Sequence, residues 1–162
     1  MKYVDASAVL RVLFAEPGPS VPLAERDRVV SSQLVEVETC RAVDRERLVG
    51  HLDDVETAVK RKDLADFLAR LHLAPIDGAV IDRAKSPFAV NVRALDAIHV
   101  ATAEILAAEA VGEPLEFWTH DDRQATAALS RGLTVRGQGD AAPSPDAGGD
   151  DGTGARAKGT GT

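Results

Sequence analysis

Four carboxylates sit where a phosphoryl-transfer site would need them. Asp5 stands where a predicted first strand, Lys2 to Asp5, gives way to a helix through Ala8, Leu10, Val12 and Leu13. Asp121, with Asp122 beside it, stands at a second such junction, after Glu116-Phe117-Trp118-Thr119. In open parallel sheets ligands bind beyond the carboxyl ends of the strands, and a following helix N-terminus helps hold a carboxylate ionised there. Either acid alone is accounted for as a helix cap. Two junctions presenting acids to the same rim of one sheet point further. Glu38 lies inside a predicted helix, with Leu34, Arg41 and Ala42 on its face; Glu36 competes with it. Asp96 falls in the first turn of an Ala-rich helix, where Leu95, Ile98, Val100 and Ala101 read as interior. An acid beside buried residues needs a partner or a function.

Carboxylates brought within a few Å of one another repel, and one is driven toward protonation unless a cation lies between them. An all-oxygen set selects a hard ion, Mg²⁺ or Mn²⁺. No Cys/His spacing suggests zinc. A metal among carboxylates at a sheet rim polarises a phosphate oxygen and activates water.

The elements that must position these acids follow from the pattern of apolar residues. After the first helix, which ends before Pro17-Gly18, a strand is expected at Val29-Val30, closed by Ser31 and Ser32, either of which could cap the next helix. That helix runs from about Leu34 to Leu48. A further helical stretch, Leu52 to Leu71, slips phase near Lys62-Asp63, so a kink or break is expected there. A strand at Leu73 to Ile76 contains Pro75, which suits a sheet edge. Helices at Gly78 to Lys85 and Leu95 to Ala110 come next, then a strand at Glu116 to Thr119. A helix from Arg123 to Arg131, a Gly132 cap and a last strand at Leu133 to Val135 complete the series. Alternating strands and helices argue for an α/β fold with a mostly parallel sheet.

The chain has 162 residues, enough for one domain with a substantial core. The expected domain is 1–137. The segment Gln138 to Thr162 carries seven of the thirteen glycines and no Val, Ile, Leu or aromatic residue, so it is read as a disordered tail. Cys40 is the sole cysteine, which excludes an intramolecular disulfide. No apolar run approaches membrane-spanning length, and no leader-like segment opens the chain. The expectation is a soluble cytoplasmic protein. The net charge of −7 counts against a generic nucleic-acid binder. Any such role requires a metal, a local basic rim, or both; Arg11, Arg26, Arg28, Arg41, Arg45 and Arg93 are the rim candidates.

Four stretches carry a resemblance. They are Tyr3-Val4-Asp5-Ala6-Ser7-Ala8; Ser31 to Arg41, with Glu38 three residues before the arginine; Leu95-Asp96-Ala97-Ile98-His99-Val100-Ala101-Thr102-Ala103; and Trp118-Thr119-His120-Asp121-Asp122-Arg123. In order, spacing and length the chain resembles the PIN-domain family, specifically the VapC-type toxins of bacterial toxin–antitoxin modules, over about residues 1 to 136. The resemblance implies a three-layer α/β/α sandwich around a four- to five-stranded sheet, and an Mg²⁺- or Mn²⁺-dependent endoribonuclease. It implies Asp5, Glu38 and Asp96 as catalytic metal ligands and Asp121 as the fourth acid, with Asp122 competing. It further implies an RNA substrate, a VapB-type antitoxin, a homodimer and no membrane. Ser7 and Thr119 are expected to support the site, Arg41 to orient Glu38, and His99 to be a packed structural residue; His120 carries no assigned role. The alternatives are a catalytically degenerate PIN domain that only binds antitoxin or nucleic acid, and an aspartyl-phosphate phosphatase. The phosphatase needs a second Asp two residues after Asp5, where this chain has Ser7.

Overall fold

The computed structural model describes residues 1–24, 26–110 and 112–138. The tail expected beyond Gln138 lies outside the described residues. Five strands and six helices alternate: β1 Lys2–Val4, α1 Ala6–Leu13, β2 Val29–Ser32, α2 Leu34–Leu48, α3 Asp54–Leu68, β3 His72–Ala74, α4 Gly78–Ala84, α5 Ala94–Glu109, β4 Glu116–Trp118, α6 Asp122–Ser130 and β5 Thr134–Arg136. All strands pair in parallel, in the order β3-β2-β1-β4-β5. The chain winds outward from β1 through β2 to β3, then returns to place β4 on the other side of β1. Between β1 and β4 the winding direction reverses, which opens the crevice where such sheets bind ligands.

Strand alternation divides the core into two layers. Tyr3, Val30 and Phe117 project to one face and pack with Val100 and Ala103 of α5 and Ala127 and Ala128 of α6. Val4, Val29 and Trp118 project to the other, against Val9 and Leu13 of α1, Val35 and Val43 of α2, and Leu64 of α3. The result is a three-layer α/β/α sandwich. The small side chains Ala97, Ala101 and Ala103 are all buried, so α5 packs closely.

Several local expectations change. Helix α3 runs unbroken through Lys62-Asp63. Val55 and Val59 suggested the phase slip, but they are 72% and 52% exposed. The face that packs is Thr57, Lys60, Leu64 and Leu68, at regular helical spacing. Lys60 belongs to it because its stem covers the core, while its Nζ donates to Leu13 O at 2.6 Å and lies over the Phe14 ring. The start of α3 is fixed by a capping box between Asp53 and Glu56. Strand β2 extends through Ser31 and Ser32. Ser31 Oγ donates to Val4 O at 2.6 Å, tying β2 to β1, and Ser32 Oγ accepts from Leu34 N at 3.3 Å. Strand β3 is an edge, with Pro75 just beyond its last residue. Gly132 takes φ +79 after α6, the left-handed conformation that lets the chain leave the helix.

Candidate functional site

The loop after β1 and the loop after β4 meet at the reversal point. Asp5 caps α1, and its Oδ1 accepts from Ala8 N at 2.8 Å. Ser7 Oγ lies 2.7 Å from Oδ1 and 2.9 Å from Oδ2. Across the crevice Thr119 Oγ1 donates to Asp5 Oδ2 at 2.7 Å. Ser7 Oγ also accepts from His120 N, and Thr119 Oγ1 from Asp121 N, so the two hydroxyls stitch the two loops together. Asp5 is 3% exposed. Burial raises its pKa above the usual carboxylate range; the nearby His99 and the bonds from Ala8, Thr119 and Ser7 oppose this without cancelling it.

Asp121 caps α6, its Oδ1 accepting from Arg123 N at 2.9 Å and Gln124 N at 3.0 Å. Asp96 is the third residue of α5 and half-buried. Its Oδ2 is enclosed and has no hydrogen-bond partner among the described residues. Burial first, and the like charge of Asp121 second, raise the Asp96 pKa; Arg93 pulls it down and Glu38 adds to the rise. Glu38 Oε2 lies 2.7 Å from His99 Nε2. All four expected acids line one cavity of about 650 Å³, walled elsewhere by Leu10, Leu34, Val37, Ala94 and Leu95 and rimmed by Arg41, Arg45 and Arg93. Asp122 and Glu36 are exposed and do not line it, so geometry favours Asp121 and Glu38 over those competitors.

Other expectations are corrected. Arg41 does not orient Glu38: its Nη2 lies 2.9 Å from Asp44 Oδ2, and Asp44 also pairs with Arg61. His99 is buried, as expected of a packed residue, but it is His99 that touches Glu38. A sequence signal was present: Asp96 and His99 at i, i+3 share one face of α5. Leu95, read as interior, is 47% exposed, and with Val37, 60% exposed, it forms the apolar lip of the cavity. Of the six rim arginines three are in place. Arg26 and Arg28 lie by Met1 and Glu116, at the opposite end of the sheet, and Arg11 donates to Pro17 O. His120 is outside the cavity lining, and burial and the nearby Arg11 lower its pKa.

Among the described residues no three Asp, Glu, His or Cys side chains are drawn together tightly enough to enclose an ion by themselves. A divalent cation still fits the site. The donors are all oxygen, one carboxylate oxygen is buried and unpartnered, and burial raises the pKa of both Asp5 and Asp96, which a cation would offset. Mg²⁺ in particular keeps several waters and takes only one or two carboxylates directly, so a roomy cavity suits it.

A parallel sheet in this strand order, with acids converging at the reversal point, defines a class. The chain belongs to the PIN-domain family, whose model matches residues 2–129. It is similar to Ribonuclease VapC46 of Mycobacterium tuberculosis, with 35% identity over 136 residues that span 82% of this chain and 94% of that protein. That similarity makes it a VapC-type member of the family.

Proposed function

We propose that the chain is the metal-dependent endoribonuclease toxin of a VapBC-type toxin–antitoxin module, hydrolysing RNA phosphodiester bonds. The observation that carries this reading is the convergence of Asp5, Glu38, Asp96 and Asp121 on one cavity, with Asp96 Oδ2 buried and unpartnered. Asp5, Glu38, Asp96 and Asp121 would hold Mg²⁺ or Mn²⁺; the ion, when bound, polarises a phosphate oxygen and brings the pKa of a coordinated water toward neutrality.

The protein's own groups do the positioning. Ser7, Thr119 and the Ala8 N–H fix the Asp5 carboxylate, so it need not reorganise during the reaction. Asp121 spends one oxygen on the α6 backbone and lines the cavity at the start of that helix. Arg41, Arg45 and Arg93 supply positive charge at the rim for RNA phosphates. The apolar lip of Val37 and Leu95 gives unpaired bases a surface to lie on, which favours single-stranded RNA. The reading carries with it a VapB-type antitoxin partner, a homodimer and a cytoplasmic site of action. No helix among the described residues is long and apolar enough to cross a membrane.

The test is cleavage of total RNA with Mg²⁺ or Mn²⁺, with a chelator and Asp5→Asn as controls. Loss of an outer-shell partner in a metal site typically costs about 10- to 100-fold. Asp5→Asn alters a carboxylate of the site itself and is expected to cost at least ~100-fold while leaving antitoxin binding intact. Wild-type protein that cuts no RNA with either ion, yet binds antitoxin, is the degenerate binding module instead.

A further inference from the structure

A hydrogen-bonded chain runs from the backbone of β2 to the acid cavity. The Ser32 N–H has only a hydrogen to offer, and it points at the Tyr3 hydroxyl oxygen, 3.2 Å away. The Tyr3 O–H lies 2.8 Å from His99 Nδ1 and can give its own hydrogen onward to it. With Nδ1 accepting, the ring hydrogen sits on Nε2, which faces Glu38 Oε2 at 2.7 Å. The last acceptor is a site acid.

The chain is rigid by construction. Tyr3 is fully buried and stacks on Phe117 with ring centroids 5.1 Å apart and planes 7° apart. His99 is 2% exposed and meets Tyr3 edge-on at 5.9 Å. Around them the layer is apolar: Val30, Val100, Ala103 and Phe117. A phenol and an imidazole buried there are tolerated because their polar atoms are bonded, to each other, to Ser32 N and to Glu38, and Phe and Leu would fill the same space without that requirement. Glu38, by contrast, projects from α2 on a long side chain with no other hydrogen-bond partner among the described residues.

We propose that Tyr3 and His99 are positioning residues for RNA cleavage: the relay from Ser32 through Tyr3 and His99 holds the Glu38 carboxylate in place at the acid cavity. The inference rests on Glu38 being a site acid, as the proposed function has it. Tyr3 touches neither substrate nor ion in this arrangement; it acts two hydrogen bonds away.

The decisive variant is Tyr3→Phe, which keeps the ring, its burial and its stacking on Phe117 and removes one oxygen. Full-length protein, freed of antitoxin, is compared for cleavage of a single-stranded RNA and for Mn²⁺ binding followed by water-proton relaxation, which needs no turnover. Tyr3→Phe is expected to lower kcat about tenfold at unchanged KM, and to weaken Mn²⁺ binding by a similar factor. In a Glu38→Gln background the same change should have no further effect on Mn²⁺ binding. His99→Gln, which keeps an N–H donor, should recover part of the activity lost in His99→Leu. Wild-type kcat and Mn²⁺ affinity in Tyr3→Phe, with Glu38→Gln inactive, would overturn the relay and leave the site standing. Full activity in Glu38→Gln would overturn the reading of the site, and the relay with it. A Tyr3→Phe loss that persists undiminished beside Glu38→Gln would mark Tyr3 as merely structural and overturn the proposal as well.

Discussion

Asp96 carries two burdens: its carboxylate is desolvated, and it faces a second acid, Asp121. The sign of the consequence follows from proton counting. Asp5 and Asp96 both hold their protons more tightly in the folded chain than in the open one. From the ordinary carboxylate range up to the raised folded value, the folded state binds more protons, so stability falls as pH rises through that window. At neutral pH without a divalent ion, ionised Asp96 costs stability, and Asp96→Asn should melt above wild type in chelator while losing cleavage. The advantage should vanish below the carboxylate window and shrink in millimolar Mn²⁺, which binds only the wild-type site well. A variant that melts below wild type at every pH refutes the account. Thr119 makes the opposite case. It is fully buried, and its hydroxyl serves both Asp5 and the Asp121 N–H. Thr119→Val keeps the shape and strands a backbone donor, at about 1–3 kcal/mol. Both the denaturant midpoint and kcat should fall; an unchanged midpoint would show that the hydroxyl is replaceable by water. The sequence marked all four acids, because each falls at a junction or helix turn with its own local signature. It could not rank Glu38–Arg41 against Arg41–Asp44. Both pairs are spaced i, i+3, and only the arrival of Arg61 from α3 and His99 from α5 decides between them.

At the level of elements, strand and helix identities were legible because alternation and helical periodicity survive in a sequence with few aromatics. Exposure was less so. Val55 and Val59 are apolar yet solvent-facing, while the charged Lys60 packs. Which face of a helix meets the sheet depends on how its neighbours cross it, and no window of local sequence contains that. One short turn supports the site from behind. Gly137 follows β5 with φ +90, and a Cβ built there would lie 2.8 Å from Thr119 O and 3.0 Å from His120 Cε1. The first contact is with backbone and cannot swing aside. Gly137→Ala therefore combines left-handed strain, about 1–2 kcal/mol for an L-residue, with displacement of the Thr119 loop. Melting temperature and kcat should drop together. A variant that is destabilised yet fully active below its melting range would mean that the turn does not bear on the site.

For the molecule as a whole, the charge of −7 confines RNA contact to a small area. Among the described residues only Arg41, Arg45 and Arg93 rim the cavity, and Arg41 is partly committed to Asp44. Single-stranded nucleic acid loses about 0.7 decades of affinity per decade of salt for each phosphate neutralised. Two or three contacts give a slope of about 2 in log KM against log salt at fixed Mg²⁺. A slope of 6 or more would mean that the interface extends far beyond this cavity. Net charge counts charges without saying where they sit, and three arginines of an acidic chain stand at the mouth of the cavity.

The placement of β4 next to β1 has a consequence for the birth of the protein. The hydroxyl that holds Asp5 comes from Thr119, 114 residues later in the chain. β1 gains its second neighbour only when β4 inserts beside it. Contacts of such long separation form late, and the C-terminal part of a chain leaves the ribosome last. A nascent chain that displays Asp5, Glu38 and Asp96 but not yet β4 lacks the Thr119 hydroxyl and the second wall of the crevice, so under the proposed function its pocket is expected to be unfinished until β4 has emerged.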